Sequence, residues 1–123
     1  MTRLFQIVNQ PQLTDAKVEQ FLSSYQELDE IEVKNCCSLS HKTLRLLADR
    51  YPALKAVAWI DNGPISEEGL SHMIDNLSLR ALNLSGNTHF SSSLCKRILS
   101  SSRSLKTLDV SFCPLTDEAF SSI

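Results

Sequence analysis

The sequence predicts an α/β solenoid in which short parallel strands alternate with helices. Three observations predict this fold. First, one apolar pattern recurs every 25 or 26 residues along the 123-residue chain. Second, apolar residues two positions apart, such as Leu108 and Val110, alternate with polar ones and so indicate a strand with one buried face. Third, a hydroxyl residue follows each strand and precedes apolar residues at helical spacing, which is typical of a helix behind its N-cap.

The repeated unit fits five frames, which start near residues 2, 28, 54, 79 and 105. Because these frames span nearly the whole chain, we predict a single domain over residues 1–123, either complete or part of a longer protein. Trp59 lies two residues after Val57 in the same predicted strand, so its side chain points to the same inward side and we predict that it lies in the core. The predicted inward strand residues are Phe5, Ile7, Ile31, Val33, Val57, Trp59, Leu82, Leu84, Leu108 and Val110.

A residue able to form hydrogen bonds follows each strand and predicts a ladder across successive turns. An amide there can bond the backbone of the adjacent turn, and cysteine is a small, buryable substitute with a weak S–H donor. This ladder is predicted to contain Gln10, Cys36, Asn62, Asn87 and Cys113. The predicted helix N-caps are Thr14, Ser40, Ser66, Ser91 and Thr116. The predicted buried helix residues are Val18, Phe21, Leu22, Tyr25, Leu44, Leu47, Ala48, Tyr51, Leu70, Met73, Ile74, Leu77, Leu94, Ile98 and Leu99.

The last frame carries the most specific motif. Residues 105–113 read Leu-x-x-Leu-x-Val-x-x-Cys, and Leu-Thr-Asp follows at 115–117. This run resembles the cysteine-containing leucine-rich repeat that is common in F-box adaptor proteins, and its period lies within the roughly 20–29 residues of leucine-rich repeats. The resemblance implies a leucine-rich-repeat solenoid, with a parallel sheet on the concave side and helices on the convex side.

The same resemblance implies a function. It indicates an intracellular adaptor or substrate receptor that binds a protein partner through the concave sheet. A role in a ubiquitin ligase would need an F-box outside these residues, because the repeats use the whole sequence. The alternative is a structural or assembly subunit of a larger complex, which would use the helical face or the repeat ends.

Outward strand residues line the concave face in this family and are the candidate protein-binding residues. Val8, Ile60 and Phe112 are apolar at expected surface positions and are the candidate anchors, although scattered exposed apolar residues also occur without a binding role. The central row of this face is predicted to contain Gln6, Glu32, Ala58, Asn83 and Asp109. The trailing row is predicted to contain Val8, Lys34, Ile60, Ser85 and Ser111, with Phe112 beside it. A mainly basic border runs alongside, at Arg3, Asp29, Lys55, Arg80 and Lys106.

Composition narrows the classes of function. The net charge is −2 and no basic run occurs, which disfavours a nucleic-acid partner. No stretch approaches the roughly 18 apolar residues of a membrane span, and the first residues lack the apolar core of a signal peptide. Extracellular leucine-rich proteins usually have disulfide-bonded caps, and the four cysteines show no such arrangement. We therefore predict an intracellular protein of the cytoplasm or nucleus, with no membrane association.

Catalytic chemistry is not predicted. His41, His72 and His89 fall in three different frames without metal-ligand spacing, and the adjacent Cys36 and Cys37 are poorly placed to form a bridge. No phosphate-binding glycine loop, nucleophile elbow or acid–base pair is present in the sequence. We predict no enzyme, cofactor or metal site. Neither end of the solenoid has an obvious polar cap, so the chain is part of a longer protein, self-associates through an end, or is capped adequately by its terminal residues.

Overall fold

The computed structural model describes residues 3–62, 67–87, 92–101, 103–111 and 113. Within these ranges, strands and helices alternate along the chain. The strands are β1 (Leu4–Val8), β2 (Glu30–Lys34), β3 (Ala56–Ile60), β4 (Ala81–Asn83) and β5 (Thr107–Asp109). The helices are α1 (Asp15–Leu22), α2 (His41–Arg50), α3 (Glu67–Asn76) and α4 (Ser92–Ser101). Several predicted residues lie outside the described ranges, namely Ser66, His89, Ser91, Phe112 and Thr116.

The strands form one parallel sheet in the order β1-β2-β3-β4-β5. Phe5 pairs with Ile31, Ile31 with Val57, Val57 with Leu82, and Leu82 with Leu108. Each partner lies one predicted period further along the chain, so the strand register follows the sequence repeat. Parallel neighbours require a crossover connection, which the helices provide. The predicted α/β solenoid with about five repeats is confirmed.

The core lies between the sheet and the helices. The inward residues of β2, β3 and β4 are buried, and Trp59 is only 2 % exposed, as its parity predicts. Leu108 and Val110 are partly buried and pack against the same core. No single repeat encloses this much apolar surface, so each one depends on its neighbours for burial.

The first two helices begin at their predicted caps. The Thr14 hydroxyl accepts a hydrogen bond from the Lys17 N–H at 3.3 Å, and the Ser40 hydroxyl accepts one from the Lys42 N–H at 3.2 Å. These bonds satisfy backbone donors that have no partner inside the helix. The buried faces of the described helices are largely those predicted, with Ile74 and Leu99 only partly buried.

Two predicted core residues of the first repeat are exposed. Phe21 is 45 % exposed and Tyr25, which lies beyond the end of α1, is 40 % exposed. The prediction of burial was wrong because it assumed a neighbouring repeat on both sides. In the described part of the chain, α1 has a neighbouring helix on one side only, namely α2. The Tyr25 ring still packs edge-on against Phe5, with ring centroids 5.1 Å apart.

The predicted ladder is buried in the middle of the solenoid. Asn62 Oδ1 accepts a hydrogen bond from the Cys36 N–H at 2.8 Å, and Asn62 Nδ2 donates to the Val33 carbonyl at 2.9 Å. Asn87 Oδ1 in turn accepts from the Asn62 N–H at 3.4 Å. Each asparagine therefore bonds the turn of the preceding repeat, where the sheet no longer pairs the backbone.

The two cysteines take part in this ladder differently. Cys113 Sγ donates to the Leu84 carbonyl of the preceding repeat at 3.1 Å, whereas Cys36 joins the ladder through its N–H and its Sγ donates to the Lys34 carbonyl of its own repeat at 3.4 Å. Burial raises the pKa of the Cys113 thiol, which keeps the S–H donor protonated at neutral pH. Gln10 is exposed, so its predicted ladder role is wrong. A ladder residue bonds the repeat before it, and no earlier repeat exists in the described residues.

A left-handed backbone residue ends the strand region of successive repeats. Asn9, Asn35 and Asp61 have φ of 59°, 56° and 51°, and Gly86 has φ of 76°. Asn, Asp and Gly adopt this conformation at the lowest cost. At Gly86 a Cβ would also meet the Asp61 carboxylate at 1.7 Å, so a larger residue there would displace that exposed side chain.

Asp15 links the first helix to the cap of the second. Its carboxylate accepts hydrogen bonds from the Ser40 N–H at 2.9 Å, from the Ser40 hydroxyl at 2.6 Å and from the Thr43 hydroxyl. Burial by itself would raise the pKa of Asp15, but the bonds from Ser40 and Thr43 outweigh burial and lower the pKa. The ionised carboxylate is therefore the form that stabilises the contact between the two repeats.

Replacing Asp15 by asparagine should lower the free energy of unfolding by about 1–2 kcal/mol at neutral pH. A lowered folded-state pKa contributes stability that is fully present above the ordinary carboxyl pKa and is lost as the pH falls through the lowered value. The difference between wild type and Asp15→Asn should therefore shrink on acidification towards about pH 2. Urea denaturation at several pH values measures it. Glu19→Gln, an exposed change on the same helix, is the control, and an Asp15→Asn cost that stays constant with pH would contradict this account.

Candidate functional site

The predicted central row exists on the sheet. Gln6 pairs in register with Glu32, Glu32 with Ala58, Ala58 with Asn83, and Asn83 with Asp109. Gln6 and Asp109 at the two ends are exposed, and the three residues between them are half-buried. These five side chains therefore form one continuous line across five strands on the face opposite the helices.

The trailing row is paired strand to strand across the first three strands, and beyond them the Ser85 carbonyl accepts from the Asp61 N–H at 3.1 Å and the Ser111 carbonyl accepts from the Gly86 N–H at 2.9 Å, which keeps the row in register. Val8, Lys34 and Ile60 are aligned in the first three strands, with Val8 37 % exposed and Ile60 half-buried. Ser85 and Ser111 were predicted to continue the row on strands, but they lie in turns after β4 and β5. Phe112, the third predicted anchor, lies outside the described residues.

Side-chain chemistry explains why β4 and β5 end early. Asn83 Oδ1 accepts a hydrogen bond from the Ser85 N–H at 3.0 Å, and Asp109 Oδ1 accepts one from the Ser111 N–H at 2.9 Å. Both are Asx turns, in which the side chain bonds a backbone group that would otherwise continue the strand. The same turn therefore diverts one backbone N–H from strand pairing in each of two adjacent repeats, while the Ser85 and Ser111 carbonyls still accept bonds from the neighbouring repeat.

The sequence-based prediction of this face omitted a third outward row. This leading row lies two residues before the central row, and its signal was the same two-residue alternation followed backwards along each strand. Its members pair in register and are half-buried in the middle of the sheet. The leading row contains Leu4, Glu30, Ala56, Ala81 and Thr107.

The leading and central rows together form an open groove with small side chains at its middle. Ala56, Ala58 and Ala81 provide the floor, and Glu30 and Glu32 stand beside it on β2. Methyl groups leave the backbone of β3 and β4 close to the surface. The groove can therefore admit a partner's side chain or backbone without displacing residues of the sheet.

Charge on the face is arranged in bands. The Glu32 carboxylate accepts a hydrogen bond from the Gln6 amide of the neighbouring strand. The Ser111 hydroxyl and N–H donate to the Asp109 carboxylate and lower its pKa, so Asp109 is ionised at neutral pH. The basic border precedes the strands, where the Lys55 N–H donates to the Asp29 carbonyl at 2.8 Å and its own carbonyl accepts from the next repeat. The border's basic side chains are exposed at Arg3, Lys55, Arg80 and Lys106.

The described residues contain no group of three His, Cys, Asp or Glu side chains positioned to hold a metal ion. His72 Nε2 lies 2.7 Å from the Asp49 carboxylate, which links α3 to α2 on the outer side of the solenoid. Cys95 is buried, and its burial raises the pKa of its thiol. These contacts are those of packing and helix pairing. In the described ranges, moreover, every helix is too short or too polar to traverse a lipid bilayer.

Comparison with known families identifies the repeat. Residues 101–123 match a family described as Leucine Rich repeat. The fold is a leucine-rich-repeat arc. The match covers the last repeat, and the strand register carries the same unit back through the earlier ones. A search of curated proteins gave no significant match to this chain. Leucine-rich-repeat domains are typically protein-interaction modules and are usually non-catalytic.

Proposed function

We propose that this chain is a non-catalytic module that binds a protein partner on the concave face of its leucine-rich-repeat sheet. The central row supports this proposal most directly. It runs unbroken across five strands, carries the acids Glu32 and Asp109 towards its two flanks, and has a small apolar centre at Ala58. Protein interfaces combine such an apolar centre, which loses water easily, with a polar rim.

The dimensions of the groove suit a peptide segment. Strands β2 and β5 are three strand spacings apart, or about 14 Å. A helix with its side chains is about 10–12 Å wide, so one helix or one extended segment fits between the flanking acids. Ile60 adds an apolar contact on the trailing row, and the basic border offers the partner charges of the opposite sign. We propose that the predicted concave-face residues form the partner-binding site. Val8 and Ile60 are the two predicted anchor residues that lie within the described ranges.

A bulky side chain or a reversed charge in the groove should reduce binding of the partner. We expect Ala58→Trp and Glu32→Lys each to reduce the amount of specific partner captured from a cell lysate by about tenfold, which corresponds to a loss of about 1.4 kcal/mol of binding free energy. Ala58→Trp blocks the floor sterically, whereas Glu32→Lys reverses one rim charge. Quantitative mass spectrometry of affinity captures with the full chain measures both.

Matched variants on the helical side provide the controls. Ala16→Trp and Glu19→Lys make the same two chemical changes at exposed positions of α1. They should leave capture unchanged. Partners that survive Ala58→Trp but disappear with Ala16→Trp would move the site to the helices and contradict a concave receptor.

We further propose an intracellular adaptor or substrate-receptor role, in the cytoplasm or nucleus, for a single domain over residues 1–123. All four cysteines are free thiols, which suits a reducing compartment. The ladder positions of Cys36 and Cys113 support the resemblance to F-box adaptors. Ligase components among proteins retained by Ala58→Trp would support that role.

A second candidate function is assembly through a repeat end. One observation favours it. The large apolar side chains that are exposed in the described ranges all belong to the first repeat. An assembly subunit would use this end, and its partner would be unaffected by Ala58→Trp.

A further inference from the structure

Two carboxylates stand beside the alanine floor of the concave groove without a basic partner. Glu30 and Glu32 lie on the same face of β2, with Cα atoms about 7 Å apart, and both are half-buried. In the described part of the chain neither forms an ion pair, and the only hydrogen bond to either carboxylate comes from the Gln6 amide to Glu32. Because half-burial removes part of their hydration, a cation brought by a partner would stabilise both carboxylates.

The surface beside these carboxylates is aliphatic. Ala56 pairs in register with Glu30, and Ala58 pairs with Glu32. Each carboxylate therefore adjoins a methyl group on β3, and Ala81 extends the same surface onto β4. The resulting slot combines methyl groups, which can cover a hydrocarbon chain, with two carboxylates at one side, which can hold a charged end.

Arginine has the chemistry that fits this slot. The aliphatic stem of an arginine packs on apolar surface while its charged end stays among polar groups. Its planar guanidinium presents several N–H donors in a fixed fork, can bond two carboxylates at once and is more weakly hydrated than an ammonium group. A calcium or magnesium ion fits less well, because each takes about six or more oxygen ligands and this surface offers methyl groups beside its two carboxylates.

A row of cations along the rim of the groove restricts the rest of the partner segment. Lys55, Arg80 and Lys106 are exposed, and their backbones bond one another in succession across the repeats of β3, β4 and β5. Within the described ranges none of these three side chains forms an ion pair. A partner with a run of basic residues would be repelled by this row, whereas acidic residues would be attracted to it.

We propose that the groove binds a partner segment that carries one arginine and, about three residues away, aspartate or glutamate. The arginine stem lies on the alanine floor, and its guanidinium donates to the Glu30 and Glu32 carboxylates. The acidic residues face the rim cations, which lie three residues before the central row, or about 10 Å along each strand. An extended segment covers that distance in about three residues. This inference rests on the proposed concave site and adds the chemical class of the segment that binds there.

Selection from a random peptide library tests the pattern. Peptides displayed on phage are selected on the purified full chain, and we expect enrichment of arginine with an acidic residue about three positions away. The most enriched peptide should bind the Glu30→Gln/Glu32→Gln variant about thirtyfold more weakly than wild type, which is about 2 kcal/mol. Replacing the peptide's arginine with alanine should have the same effect. Glu19→Gln, on the helical side, should leave the affinity unchanged.

A charge exchange distinguishes recognition of the arginine from damage to the sheet. The Glu30→Lys/Glu32→Lys variant should bind the arginine peptide more weakly than wild type does. Replacing that arginine with glutamate should restore binding to the lysine variant and abolish it for wild type, because attraction and repulsion exchange places. Failure of the exchanged pair to regain affinity, together with unchanged binding to Glu30→Gln/Glu32→Gln, would overturn the proposal.

The possible outcomes separate this inference from the proposed function. Peptides that lose affinity with Ala58→Trp but contain no arginine would support the concave site and overturn the arginine pattern. Peptides that bind Ala58→Trp as tightly as wild type would contradict both. Enrichment of polybasic peptides, or of no peptide at all, would overturn this inference, because the rim cations should exclude the first and a short segment should carry the pattern.

Discussion

Replacing Asn62 by alanine should lower the free energy of unfolding by about 2–4 kcal/mol. The reason is that both ends of its amide serve buried backbone. Its removal leaves the Cys36 N–H without the 2.8 Å bond and the Val33 carbonyl without the 2.9 Å bond, at a site that is 1 % exposed. A buried backbone group without a partner costs more than an ordinary hydrogen bond contributes. Chemical denaturation followed by circular dichroism measures the change.

The exposed ladder position provides the control for Asn62. Gln10→Ala removes an amide from the same place in the repeat, but Gln10 is exposed and its loss should alter stability by no more than about 0.5 kcal/mol. Equal costs at the two positions would mean that the ladder does not stabilise the solenoid.

Truncating Leu82 to alanine should cost about 2–5 kcal/mol, a large share of the roughly 5–15 kcal/mol that stabilises a typical domain. Leu82 is 2 % exposed and lies in register between Val57 and Leu108. The cavity would therefore weaken the contact with the repeat on each side. Since repeats rely on nearest neighbours, we expect β5 to lose protection from hydrogen exchange together with β4.

Leu4→Ala is the matched change for Leu82. Leu4 lies on β1 with its side chain 50 % exposed, so its truncation should cost less than about 1 kcal/mol. Confinement of the Leu82→Ala effect to β4, with β5 still protected, would contradict the coupling between repeats.

Much of the fold can be predicted from this sequence because equivalent positions in the five repeats can be compared with one another. Trp59 illustrates this. An isolated tryptophan invites assignment to a binding surface, but its alignment with Val33 and Leu84 fixes its parity and therefore its burial. The buried amides at Asn62 and Asn87 follow from the same alignment, since their frame position recurs where the sheet stops pairing.

The errors fall where a repeat lacks a neighbour. Phe21, Tyr25 and Gln10 have the residue types of their counterparts in the interior of the solenoid, but in the described chain no earlier repeat covers them. A sequence pattern records what each unit can bury and does not record whether a partner is present. The repeat pattern alone therefore could not predict that these three residues are exposed.

The candidate site was predicted in part, and the remainder depended on backbone detail. The central row follows from strand alternation alone. The early ends of β4 and β5 depend on which of several options the side chains of Asn83 and Asp109 adopt, since both can face the groove or bond the turn. The alanine floor needed the register between β3 and β4, because Ala56, Ala58 and Ala81 are unremarkable until they are seen side by side.

Site-specific photo-cross-linking from Ala58 tests the central claim most directly. A photoreactive phenylalanine derivative at position 58 lies on the floor of the concave groove, and the same derivative at the exposed Ala16 lies on the helical side. After irradiation of cells that make the full chain, we predict a discrete covalent adduct with one protein from position 58 and none from position 16. An adduct that forms from position 16 and not from position 58 would contradict a concave binding face.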